Sequence, residues 1–119
     1  MSNAPQEPRI EMKRLPYRAQ TQTGDVFDIE FPLHADTRDA VRVGQLVSGI
    51  LQAVDRDFTV AGEMSNGDVL QALSMACAIR AKMIHARKSV TQNLATDLLA
   101  TALGAEANAS RQSPAAGHS

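Results

Sequence analysis

The chain has no tryptophan, one tyrosine and three phenylalanines, so its apolar content is carried by Leu, Val, Ile, Met and Ala. Such side chains bury less area per residue than aromatics do, which favours help from a partner subunit in closing a core. One cysteine, Cys77, excludes an intramolecular disulfide and any metal site made of cysteines alone. It lies mid-helix among apolar neighbours, so a buried structural thiol is expected rather than a nucleophile.

Charge of one sign is also missing. Twelve Lys and Arg stand against thirteen Asp and Glu, a formal net charge of −1. A nucleic-acid binder usually carries a basic domain or stripe, and the global balance argues against that class. No apolar run reaches the roughly 18 residues of a membrane span, and the first residues, MSNAPQEPRIEMKR, contain no hydrophobic segment of signal-peptide type. The reading is a cytoplasmic protein outside the membrane.

Catalytic and cofactor signals are absent as well. His34, His85 and His118 have no ligand-like spacing, so no metal is expected. Nucleophile elbows and glycine-rich phosphate loops do not occur, and no cofactor is expected. The chain reads as a non-enzyme.

What is present is a change of period. Residues 1–14 hold two prolines and interspersed charges, and read as a flexible arm. Phe27, Ile29, Phe31 and Leu33 alternate with Asp28, Glu30 and Pro32, the pattern of a half-buried strand. Tyr17–Gln22 is a weaker strand, and Thr23-Gly24-Asp25 supplies the turn of a β-hairpin bracketed by Pro16 and Pro32. A lone hairpin is marginal in water, so it needs helices to cover its apolar face, and its open edge could pair with a second copy.

Three helices follow. Asp36 or Thr37 caps the first, with Asp39 in its first turn. Its stripe is Val43, Leu46, Val47, Ile50, Leu51 and Val54, and Asp55-Arg56-Asp57 end the periodicity. Gly44 and Gly49 lie within it and each costs about 1 kcal/mol of propensity, which suggests close packing against a neighbour. Phe58–Met64 reads as a connector. Ser65 and Asp68 form a start signal for a helix over 65–87, apolar nearly all round and therefore central. Ser89 or Thr91 starts the third, with Leu94, Ala95, Leu98, Leu99, Ala102 and Leu103 as its stripe and Gly104 as its cap. Residues 105–119 read as a disordered tail.

The expected fold is therefore α+β, an N-terminal β-hairpin packed on a three-helix bundle, as one domain over 15–104. One position stands out. On a helical projection Arg80 lies among Val69, Leu73, Ala76, Met83 and Ile84, with Arg87 a heptad later. An arginine on an apolar face is rarely fully buried without a partner, so either Arg80 snorkels to an edge or pairs with Asp55, Asp57 or Asp97, or Arg80 with Arg87 or Arg42 seats an anion.

The leading functional expectation is a non-enzymatic interaction, accessory or assembly protein that binds another protein and itself as a small homodimer. Two alternatives are a nucleic-acid-binding regulator using Arg80, Lys82, Arg87 and Lys88, and a binder of a small anionic ligand through Arg80. A helix-turn-helix is disfavoured, because the first connector exceeds the usual turn and the second helix has no cluster of base-reading side chains.

Overall fold

The computed structural model describes residues 13–21 and 24–112. It has an N-terminal hairpin followed by three helices, an α+β fold: β1 (Arg14–Gln20), β2 (Val26–Pro32), α1 (Ala40–Ala61), α2 (Asn66–Lys82), α3 (Lys88–Ala107) and β3 (Ser110–Gln112). Two compact units divide it, one of residues 1–44 with 101–119 and the other of residues 45–100.

In the first unit β1 and β2 pair antiparallel, with Leu15 opposite Phe31, Tyr17 opposite Ile29 and Ala19 opposite Phe27. The period of two puts all six on one face, where cross-strand apolar pairs stabilise the ladder. Gly24 makes the turn possible: its φ is 94°, a conformation L side chains rarely adopt, and its N–H donates to the Thr21 carbonyl at 3.0 Å. Pro16 lies inside β1 opposite Glu30 rather than bracketing the ribbon. The sheet order β1-β2-β3 makes β1 an edge strand, which tolerates a missing N–H.

On the other face Arg18 stands opposite Asp28 and donates twice to its carboxylate, Nε to Oδ1 at 2.8 Å and Nη2 to Oδ2 at 3.2 Å. This hydrogen bond to Arg18 holds the Asp28 carboxyl below the usual aspartate range. With the folded pKa depressed, the pair's contribution is present above the unfolded pKa and is lost as pH falls through the folded one. Hairpin stability should therefore decline on acidification below about pH 4, the reference value for aspartate. Asp28→Asn should flatten that decline, measured by the chemical-shift dispersion of β1 and β2. The pair is exposed, so the effect is small.

The third strand was not foreseen. Residues 105–107 continue α3, and Ser110–Gln112 pair antiparallel with β2 over Val26–Asp28. Gly104 is thus interior to α3, and the expected C-terminal tail is structured as far as Gln112. The rest of that tail and the expected N-terminal arm as far as Met12 lie outside the described residues.

Helix ends are set by local chemistry. Asp39, not Asp36 or Thr37, caps α1: its Oδ1 accepts from the Arg42 N–H at 3.1 Å, and its carbonyl from Val43 at 3.1 Å. The helix runs past Asp55-Arg56-Asp57 to Ala61, taking in part of the expected connector. Gly62 stops it at φ 97° with its N–H on the Phe58 carbonyl at 3.0 Å, the single-bond left-handed cap. Ser65 caps α2 as expected, accepting from the Asp68 N–H at 3.1 Å. That helix ends at Lys82 rather than Arg87, with Met83 as cap, and 83–87 form an elbow into α3.

Of the two glycines inside α1, Gly44 approaches a neighbour, since a Cβ there would lie 3.6 Å from Leu15 Cδ1, within the first unit. Gly49 faces open space. Gly49→Ala should therefore stabilise the helix by about 1 kcal/mol, whereas Gly62→Ala should destabilise it by about 1–2 kcal/mol. Thermal unfolding followed by far-ultraviolet circular dichroism checks the opposite signs.

Candidate interaction surface

The three helices do not run in contact along one another. Among the described residues no apolar side chain is buried, and Thr91 alone is, at 8% exposure. Its hydroxyl donates to the Lys88 carbonyl at 3.1 Å, so it is satisfied where the elbow enters α3. The stripes read from the sequence are present but open. Leu46, Ile50 and Leu51 of α1, Leu70, Met75 and Ile79 of α2, and Leu98, Leu99 and Leu103 of α3 belong to a set of large apolar side chains that are 38–81% exposed.

Within the second unit α2 and α3 leave a groove of about 790 Å³ between them. Small side chains form much of its lining, among them Ala78, Ala81 and Ala95, while Leu70 and Leu99 stand at the end away from the elbow. Cys77 lies in this groove and is exposed, not the buried thiol its neighbours suggested. Its surroundings are apolar, as read from the sequence, but nothing closes over them.

The elbow carries the basic residues. Arg80 and Lys82 occupy the last turn of α2, Arg87 the elbow itself and Lys88 the first position of α3, all exposed. Lys82 and Lys88 stand on opposite walls of the groove at that end.

Arg80 pairs with no carboxylate among the described residues, and neither Asp55, Asp57 nor Asp97 reaches it. Its Nη1 donates to Met83 Sδ at 3.2 Å. The apolar face that would have forced a partner on Arg80 is open, so the guanidinium remains in solvent. Arg87 does not stack a heptad above it, because α2 stops at Lys82; the Arg87 carbonyl instead accepts from the Val90 and Thr91 N–H groups at 3.0 and 3.2 Å. Arg42 lies in the first turn of α1, its N–H on Asp39, and belongs to the other unit.

His34 accepts the Asp36 N–H at its Nδ1, 3.1 Å away. Among the described residues no three His, Cys, Asp or Glu side chains converge as a metal site would require, and no helix is long and apolar enough to cross a membrane.

Sequence reasoning missed the groove. Its signal was the pair Ala78 and Ala81 with Ala95 on the next helix, small side chains that read equally well as the close-packed inside of a bundle. No protein-family model, curated protein or solved structure matches the chain.

Proposed function

We propose that this chain is a non-enzymatic interaction protein, an accessory or assembly factor, whose folded form is a homodimer held by its helices. The observation that carries this reading is the absence of any buried apolar side chain among the described residues. Most helical stability in proteins comes from tertiary packing of an apolar face rather than from helix propensity. Three helices with open stripes therefore need a partner surface to persist.

The amount of exposed apolar surface suits that role. Fully burying one large aliphatic side chain is worth about 1.5–3 kcal/mol at about 25 cal/mol per Å², or about 60–120 Å². Sixteen such side chains are about half exposed on average, which comes to an area on the order of 800 Å². That equals one partner's share of a standard stable interface. A surface of this size left in water would drive association without selection, so the dimer is also what keeps the chain out of aggregates.

Light scattering and sedimentation equilibrium at about 10 μM test the reading, with a two-chain species of high helical content expected at concentrations in the range of tight to moderate association. A monomer whose unfolding midpoint is independent of protein concentration overturns it.

A second reading draws on the elbow, where Arg80, Lys82, Arg87 and Lys88 fall within nine residues that contain no acid. Their exposure supports contact with the phosphates of a nucleic acid. Four phosphate contacts would make log K fall with log salt at a slope of about −3.6 on duplex DNA. Retardation of duplex DNA or RNA at low salt with a slope of that order supports this reading, and no retardation removes it.

A further inference from the structure

We infer that the groove between α2 and α3 is filled by α1 of a second copy of this chain, lying parallel to α2 with its C-terminal half at the elbow. This rests on the homodimer reading above and adds which segments meet.

Length is the first argument. From Val43 to Val54 the apolar stripe of α1 rises through 11 residue steps, about 17 Å of helix at 1.5 Å per residue. The α2 wall from Leu70 to Lys82 rises through 12 steps, about 18 Å, a close match. Alanines lining the groove let a second helix come close, as interaxial packing at about 8–10 Å requires.

Charge sets the direction. On the α1 projection Asp57 falls beside Leu46 at one edge of the apolar stripe and Asp55 just beyond Leu51 on the other side, about 50° and 110° from its centre. Neither carboxylate is ion-paired among the described residues. Lys82 and Lys88 stand on opposite walls at the elbow end of the groove, also unpaired. A helix laid in the groove with its C-terminal half at the elbow brings one aspartate to each lysine. The opposite direction would carry Asp55 and Asp57 to the Leu70 and Leu99 end of the groove, away from both lysines.

Chain connectivity then decides whose helix it is. For a chain's own α1 to lie parallel to α2 in this register, Ala61 would stand about 30 Å from Asn66. The five Cα steps through residues 62–65 span at most about 18 Å. Only another copy can supply the helix in this direction, and two-fold symmetry lets each α1 fill the other's groove.

The test uses two full-length charge-reversed variants, D55K/D57K and K82E/K88E. Each alone should self-associate at least tenfold more weakly than wild type in sedimentation velocity. Mixed one to one, they should form a heterodimer within about threefold of the wild-type affinity, because both grooves then meet opposite charges. Labelling of Cys77 by a maleimide should be slow in the wild-type dimer and at least tenfold faster in either variant alone.

If both variants dimerise like wild type, or if mixing restores nothing while each remains helical, the groove is not the seat of α1 and the inference fails, although the homodimer reading stands. If wild type is itself a compact monomer, both fail. A wild-type dimer in which Cys77 stays as reactive as in the variants also overturns the inference. Should the reversed variants lose helicity, the charge-neutral pair D55N/D57N and K82Q/K88Q decides: intermediate weakening of each alone is expected, with partial restoration on mixing because one of the two grooves then keeps both charge pairs, and affinity equal to wild type overturns the inference.

Discussion

Ile50→Asp should abolish dimer formation at micromolar concentration and remove most of the helical circular dichroism with it. Ile50 lies near the middle of the α1 stripe, between Val43 and Val54, and is itself 43% exposed. In the dimer a carboxylate there would enter an apolar contact without a hydrogen-bonding partner, which costs several kcal/mol. A loss of about 3 kcal/mol weakens association roughly 100-fold. On the homodimer reading the helix follows, because its stability would then come from the packed face, with two glycines already working against propensity. Gln52→Asp is the control. That side chain lies on the opposite face of α1, so the same new charge should leave both the sedimentation coefficient and the helicity near wild type. If Ile50→Asp remained a helical dimer, α1 would not be at the interface.

The second large effect is on dilution. Where folding and association are one event, stability contains the protomer concentration, and each tenfold dilution removes about 1.4 kcal/mol. Thermal unfolding at 1, 10 and 100 μM should therefore give midpoints that rise with concentration by several degrees per decade, with helix loss and dissociation coinciding. The hairpin is expected to behave differently. Its ladder of Leu15 with Phe31, Tyr17 with Ile29 and Ala19 with Phe27 is local, and the Gly24 turn closes it within one unit. Amide exchange in β1 and β2 should accordingly depend less on concentration than exchange in α1. Equal dependence would mean that the sheet too is assembled by the second chain.

Charge at the elbow links these expectations to the nucleic-acid reading. If Lys82 and Lys88 are engaged by aspartates of a second copy, half of the basic group is occupied in the dimer and only Arg80 and Arg87 remain for an anion. The charge-reversed pair K82E/K88E therefore separates the two uses. It should weaken self-association only if aspartates of a second copy sit there, and it should change retardation of nucleic acid only if phosphates bind there.

The elements themselves were legible from local pattern. The period of two in Phe27, Ile29 and Phe31 marks β2, and the Ser65 and Asp68 pair marks the start of α2, because both features act over a few residues. Helix ends were less so. Gly62 closes α1 through a backbone conformation, and the aspartates that break the stripe at 55 and 57 break only its hydrophobicity, since charged residues continue a helix readily. β3 was invisible, because three polar residues acquire strand geometry only from the edge of β2 that they meet.

The sequence by itself determined which residues are apolar, where they repeat and hence that an α+β chain with three helices would form, the first and third striped and the second apolar nearly all round. Whether those stripes face inward is a property of how the helices lie on one another, which periodicity does not encode. Only the tertiary structure decided that they stand open, that Arg80 needs no partner because its face is solvated, and that Lys82 and Lys88 meet across one groove. Each of these depends on contacts between segments distant in the chain, and an apolar stripe looks the same in sequence whether its own fold or a second copy buries it.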